Sequence, residues 1–314
     1  MSAPPSLDGV LLIDKPSGPT SHDVVARLRR VLGQRSIGHT GTLDPMASGL
    51  LALVLGRATR LASILTGSDK TYEAAIRLGF ATTTDDALGE PVAVTNETGS
   101  LKTPGFICDS DIQDALGHFR GTFEQQPPSH SAKKVAGVKA YELARRSEAV
   151  TLAPVPVAVR SLEWIGRTAD TFQVRVTATA GFYVRALARD IGERLGCGGH
   201  LTALRRIRSG AFQVEEALPL ADAERAGKAL NARLLSPAAA LPQLAAVVLT
   251  DEGLRRALHG NWLGPSHWLH DRPGPGVPDG PKSPPIKLLA PDYGRLVALA
   301  RSSSGALHPV VVLG

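Results

Sequence analysis

Fourteen residues constrain this chain more than any other stretch: Gly38-His39-Thr40-Gly41-Thr42-Leu43-Asp44-Pro45-Met46-Ala47-Ser48-Gly49-Leu50-Leu51. One carboxylate, Asp44, stands in a loop of glycines and hydroxyls, and no basic side chain follows until Arg57. The apolar run Leu50 to Leu55 begins directly behind it, so the loop is tied to buried structure with Asp44 held at its mouth. Pro45 biases Asp44 away from the right-handed helical region. Gly38, Gly41 and Gly49 let the backbone turn tightly or approach a ligand closely. Two readings of Asp44 follow. Asp-Pro is a common helix start, with Asp as N-cap and Pro at the first helical position. The same carboxylate can face a cleft as a reacting group. His39, between glycine and threonine, is likewise either a satisfied structural histidine or a site residue. The run from Leu50 to Leu55 suits a strand or a buried helix, which periodicity alone does not separate.

With 314 residues the chain can form one large domain and a small one. Its 43% hydrophobic and 20% charged residues are ordinary for a soluble globular protein. The two cysteines, Cys108 and Cys197, form no C-x-x-C pair, so neither a disulfide framework nor a zinc site is expected, and a reducing, cytoplasmic setting fits. The N-terminus lacks the basic-then-apolar pattern of a secretory signal, and the apolar runs are too short to span a bilayer. The net charge of +6 is unevenly spread. Residues 120–210 carry 15 basic and 7 acidic side chains, net +8, whereas residues 1–119 are net −3 and residues 211–314 net +1. A concentrated excess of this kind attracts a phosphate backbone.

In chain order, Gly9 to Ile13 reads as a short buried strand. Ser21 reads as the N-cap of an amphipathic helix over about Asp23 to Leu32, ended by Gly33. Lys15, in the loop between them, meets a phosphate, braces the active-site loop, or is an ordinary exposed lysine, which is the reading the residue alone favours. Ala58 to Leu65 reads as a helix. In Lys70 to Gly79, Tyr72, Ala74, Ile76 and Leu78 alternate with polar residues, a strand pattern that puts Tyr72 in the apolar-facing row. Thr82 to Gly89 is a polar turn whose Asp85 and Asp86 have no further ligands for a metal, so a capped loop is expected. Asp109 to Phe119 reads as a helix. The basic, proline-opened segment from Gln125 to Tyr141 reads as a projecting arm. Val155 to Ile165 and Thr171 to Ala180 read as strands, and Gly181 to Gly192 as a turn entering a helix. Leu201 to Arg208 places Arg205, Arg206 and Arg208 beside Leu204, as on a solvated helix face. A boundary falls at Leu244 to Leu249, and Thr250 caps a helix from Asp251 to Leu258. Residues 271–285, rich in Pro and Gly, read as a loop or a partly disordered segment. Lys287 to Ala290, Leu296 to Arg301 and Pro309 to Leu313 suit a small β meander. No Walker A, G-x-G-x-x-G or G-x-S-x-G motif occurs, which removes the main support for nucleotide, dinucleotide and α/β-hydrolase readings.

Across Gly9 to Phe212, several motifs in order resemble those of the bacterial tRNA pseudouridine-55 synthases of the TruB type. They are Asp14-Lys15-Pro16-x-Gly-x-Thr-Ser, the Asp44 stretch, Lys70-x-Tyr72, Pro127-Pro128-x-x-Ser131-Ala-Lys133, Tyr141, Gly181-x-Tyr183-x-Arg185 and Leu204-Arg205-Arg206. The resemblance implies an α+β fold, with a mixed, mostly antiparallel sheet, flanking helices and a small C-terminal β-rich, PUA-like domain. It implies a catalytic domain over 1–244, with a thumb-like arm at about 124–148, and an RNA-binding domain over 245–314. Asp44 would be the catalytic aspartate, Tyr72 would stack on the target base, and Arg185 would pair with Asp44. Tyr183 would line the pocket and Leu204 would pack nearby. His39 would hold the flipped T-loop, Lys15 and Pro16 would brace the site, and the arm around Lys133 would close over the RNA.

The chemistry suits these residue types. Making pseudouridine cleaves the N1–C1′ bond of uridine, turns the base over and joins C5 to C1′, which needs no metal or organic cofactor. A carboxylate serves as nucleophile or as the base that takes the C2′ proton, and an adjacent arginine keeps it ionised. The base must leave its stack, which calls for an aromatic platform. A single aspartate also fits better than a glycosidase, which normally flanks the bond with two carboxylates. The implied partner is the T-arm of tRNA, met by a monomer without membrane or protein partner. The competing readings are a non-catalytic tRNA-binding or folding module and a synthase for another RNA uridine. His130 stands where the family pattern has tyrosine, and residues 271–285 interrupt the C-terminal part.

Overall fold

The computed structural model describes residues 7–92, 107–129, 134–135, 138–139, 152–269, 280, 283–292 and 294–314. The chain is α+β, with mostly antiparallel strands and helices alongside them. It divides into two compact units, one of Met1–Asp44, Leu50–Thr66 and Ala211–Gly314, the other of Pro45–Gly49 and Gly67–Gly210. Among the described residues no helix is long and apolar enough to cross a membrane.

The second unit is built around the strand Lys70–Leu78. Its alternation buries Ala74, Ile76 and Leu78 and leaves Tyr72 half-buried. It pairs antiparallel with Thr171–Ala178 on one side and Gly199–Ser209 on the other. Thr171–Ala178 pairs in turn with Val155–Thr168, and that strand with Gly121–Gln125. Phe172, Val174 and Val176 are buried while Gln173 and Arg175 are exposed, the two-residue period of a sheet with one covered face. The segment from Leu201 to Arg208 departs from its solvated-helix reading. It is part of the strand Gly199–Ser209, and Arg206 is 2% exposed. Pairing along the open edge of Lys70–Leu78 outweighs the local charge pattern, as tertiary context does for strands in general. The helix Val184–Leu195 buries Val184, Leu187, Ala188 and Ile191 and lies on that strand. A Cβ at Gly192 would stand 2.1 Å from the backbone nitrogen of Gly199, so only glycine permits the approach.

In the first unit, Gly9–Lys15 is a buried strand paired in parallel with Leu218–Pro219. Ile37–His39 pairs antiparallel with the far end of Ser48–Leu55, so the apolar run is a strand and not a helix. The expected helix at Ala58 to Leu65 is a 3-10 turn, Gly56–Leu61, followed by the helix Ala62–Thr66. The helix Ser21–Leu32 is capped by Thr20, not Ser21. Thr20 and Asp23 form a reciprocal capping box, and Gly33 closes the helix in the left-handed conformation.

The C-terminal strands form a sheet of their own in the order Ala246–Val248, Ile286–Leu289, Leu296–Ser303, Ala306–Val312, the first pair parallel and the others antiparallel. The helix Asp251–Leu258 begins at Thr250, whose hydroxyl accepts from Gly253 N–H, as its sequence predicts. Leu249, Leu263, Trp268, Leu288 and Val297 fill the core beneath. The strand Ala246–Val248 falls where the sequence suggests only a boundary.

Candidate active site

Asp44 stands in the first unit, half-exposed, and the boundary between the units falls between it and Pro45. No helix follows. Pro45 and Met46 form a turn that leads through Ala47 into the strand Ser48–Leu55, so the helix-cap reading of Asp44 does not hold. The loop is held from both ends by hydrogen bonds to buried groups. Thr40 is 2% exposed, and its N–H and hydroxyl both donate to Ala52 C=O, at 3.0 and 3.3 Å. Ser21, fully buried, accepts from Leu43 N–H at 2.8 Å, and its hydroxyl lies 3.2 Å from Leu43 C=O. The residue that resembles an N-cap in the sequence is therefore a clamp on the backbone next to Asp44. Lys15 is not an exposed lysine: it is fully buried, and its ammonium donates to the carbonyls of Pro16 and Pro19 at 2.9 and 2.8 Å, which braces its own loop. Pro16 is exposed beside it. His39 ends its short strand and meets His22 edge to face, with ring centroids 5.2 Å apart.

The second unit holds Tyr72, Tyr183, Arg185 and Leu204. Tyr72 pairs across the sheet with Val176 on one strand and Arg206 on the other, and Leu204 pairs with Ala74. Residues two apart on a strand share a face, so Tyr72, Leu204 and the buried Arg206 lie on the same side of the sheet. Gly49 belongs here as well, paired with Arg206; its φ is +99°, and a Cβ would come within 2.3 Å of Arg206 C=O. Tyr183 precedes the helix Val184–Leu195, and its backbone N–H and C=O are both bonded to the side chain of Gln125. Arg185, 5% exposed, donates to Thr84 C=O at 3.0 Å and stands 3.8 Å from Asp86.

The polar turn from Thr82 to Gly89 is thus an electrostatic partner of the helix. Asp86 accepts from Thr84 hydroxyl and Leu88 N–H, and Asp85 meets Arg189 at 2.9 Å. Burial pushes Asp85 up to about 6, against the pull of Arg189 and Arg185. Burial, and then the nearby charge of Arg206, lowers Lys70 to about 8. Among the described residues no group of three or more His, Cys, Asp or Glu could hold a metal ion. Lys133, with His130 and Tyr141, lies outside the described residues. Ser21, Gln125, Arg189 and Arg206 are the contributors that reading the sequence does not single out as site residues. Their partners are distant in the chain, and only the polar character of Gln125-Gln126 beside two prolines hints at one of them.

Two family models match adjoining stretches. That for the N-terminal domain of TruB family pseudouridylate synthases covers residues 29–184, and that for the tRNA pseudouridylate synthase B C-terminal domain covers 185–249. A tRNA pseudouridine synthase B of Thermobifida fusca (strain YX) is 42% identical over 313 residues, 97% of this chain and 98% of that one. This chain belongs to the TruB family. Another relative in the family, a tRNA pseudouridine synthase B of Mycobacterium sp. (strain KMS), is 49% identical over 216 residues, 68% of this chain and 70% of that one. Among solved structures, one of a Cbf5-Nop10-Gar1 complex aligns with a TM-score of 0.72 at 26% identity, covering 98% of this chain and 85% of that chain. The Asp44 stretch, Tyr72 and Tyr183 all lie inside the match to the TruB N-terminal model, while Arg185 opens the match to the C-terminal one.

Proposed function

We propose that this TruB-family chain isomerises the T-loop uridine of tRNA, position 55, to pseudouridine, with Asp44 as the essential carboxylate. The observation that carries the reading is the setting of Asp44: a half-exposed carboxylate in a loop that caps no helix and is clamped at Thr40 and Leu43. Such a group is positioned at the cost of buried hydrogen bonds yet takes no part in a helix start, which suits a reacting residue. The target uridine leaves its stack and lies against Tyr72, with Tyr183 and Leu204 lining the pocket. The resemblance gives Arg185 the part of a cation that keeps the catalytic carboxylate ionised. Asp44 then either attacks carbon as a nucleophile or removes the C2′ proton. The N1–C1′ bond breaks, the base turns and the C5–C1′ bond forms; a covalent Asp44 leaves C1′, or the C2′ proton returns, and C5 loses its proton as N1 gains one, so that no atom is gained or lost overall.

His39 holds the flipped T-loop, and Lys15 and Pro16 support the site by bracing their own loop. The basic arm around Lys133 grips the phosphate backbone, so affinity falls as salt rises. Residues 1–244 act as the synthase and 245–314 as a small PUA-like RNA-binding module. The chain works in the cytoplasm as a monomer without protein partner or cofactor. The test is to incubate the protein, with no added metal or cofactor, with an unmodified tRNA transcript and to map pseudouridine by chemical adduct and reverse-transcription stop. A single stop at the T-loop uridine is the expected result. A stop at another uridine overturns the target. No stop, with tight tRNA binding retained, overturns catalysis in favour of a binding or folding module.

A further inference from the structure

Gln125 ends the strand Gly121–Gln125 and is 1% exposed. Both ends of its amide meet one residue. Oε1 accepts from Tyr183 N–H at 2.8 Å, and Nε2 donates to Tyr183 C=O at 3.0 Å. This is the double hydrogen bond of a paired residue in an antiparallel ladder, made here by a side chain. It stands where the ladder has run out, because Tyr183 lies between the strand end at Ala178 and the helix start at Val184. Glutamine alone offers both groups at this reach: asparagine is one methylene shorter, ionised glutamate has no donor, and leucine has neither. The next residue extends the connection. Gln126 C=O accepts from Arg189 at 3.0 Å, and its side chain donates to Leu152 C=O at 2.7 Å. The second turn of the helix is thus bonded to the backbone just beyond the strand Gly121–Gln125, and that backbone to Leu152.

We propose that Gln125 is a positioning residue for the reaction. It fixes the Tyr183 backbone, and through it the helical turn that carries Arg185, against the end of the strand Gly121–Gln125. The inference rests on the pseudouridine-forming function proposed above. Removing the clamp lets Tyr183 and the first helical turn shift, and a misplacement of about 1 Å costs a reaction roughly 10²-fold.

The experiment compares wild type, Gln125→Leu and Gln125→Glu in single-turnover pseudouridine formation at saturating enzyme, with tRNA affinity and thermal unfolding measured on the same preparations. Gln125→Leu should lower the rate by about 10- to 100-fold while leaving tRNA affinity nearly unchanged. Gln125→Glu adds a reading that a merely structural role would not move. A protonated carboxyl reproduces the amide's donor and acceptor; a carboxylate does not, and burial beside a carbonyl raises the pH at which the proton is lost. The variant's rate, divided by that of wild type at each pH, should therefore be near one at low pH and fall as pH rises. The surrounding charges (Arg185, Arg189, Asp190 and Glu193 on the helix, Asp85 and Asp86 on the facing loop) are common to both proteins and cancel in that ratio to first order. A folded Gln125→Leu at the wild-type rate, or a ratio for Gln125→Glu that is flat across pH, overturns the inference. If Gln125→Leu fails to fold, the Glu ratio decides alone. A wild type that makes no pseudouridine overturns the proposed function and this inference with it, whereas active wild type with insensitive variants overturns only the inference.

Discussion

The backbone beside Asp44 and the backbone beside Tyr72 are held in different ways. Around Tyr72 the chain is a central strand, bonded along both edges to Thr171–Ala178 and Gly199–Ser209. Tyr72 inherits its direction from the alternation of the sheet, and the neighbours that share its face, Ala74, Leu204 and Arg206, are buried. Around Asp44 no ladder runs. The loop is held by a few hydroxyl-to-backbone bonds, from Ser21 to Leu43 and from Thr40 to Ala52. A platform that receives a flat ring tolerates the rigidity and bulk of a sheet. A reacting carboxylate must stay accessible, and a loop fixed from beneath by small buried hydroxyls leaves Asp44 half-exposed. Substitutions in the sheet should therefore act first on stability, and substitutions in the loop first on rate.

The largest expected stability effect is at Leu204, which is 8% exposed on the face it shares with Tyr72. Leu204→Ala should destabilise the fold by about 2–5 kcal/mol, measured by denaturant unfolding. A loss well below that range would mean that this face of the sheet is less tightly packed than its burial indicates. Ser21→Ala comes next. It leaves the buried Leu43 N–H without its acceptor, for about 1–3 kcal/mol, and should lower the single-turnover rate by more than Leu204→Ala does for each increment of stability lost. Equal ratios of rate loss to stability loss at the two sites would erase the distinction between loop and sheet.

The smallest effect concerns Lys70. Its folded pKa of about 8 lies below the ordinary 10.5, so between those values the unfolded chain binds more protons than the folded one. Stability should accordingly rise as pH goes from about 8 to 10.5. Lys70→Met, which buries no ammonium, should flatten that part of the curve, as thermal unfolding across a pH series would record. An unchanged slope would relocate the titration to another group.

Much of the sheet is legible in the chain because its signals are local. The alternation from Lys70 to Leu78, the two strands around the turn at 169–170 and the cap at Thr250 each lie within a few residues of what they specify. The motifs around Asp44, Tyr72 and Arg185 carry the family in the same way. What stays hidden depends on partners far along the chain. Ser21 and Thr20 are both good caps, and only Leu43, 22 residues on, draws the serine inward. The Arg205-Arg206-x-Arg208 run looks solvated until Lys70–Leu78 pairs with it and buries Arg206. Gln125 meets Tyr183 across 58 residues. Asp-Pro resembles a helix start, yet the strand behind it begins too soon for one to form.

The decisive comparison is Asp44→Asn against wild type, with pseudouridine formation, tRNA affinity and thermal unfolding measured together. Asn keeps the shape and a hydrogen-bonding oxygen but can neither attack as a carboxylate nor take a proton. The rate should fall by at least about 10²–10⁴-fold, with affinity and unfolding midpoint close to wild type. An Asp44→Asn protein that still converts the T-loop uridine at a rate near wild type, or that loses activity only because it no longer folds, would contradict a catalytic Asp44.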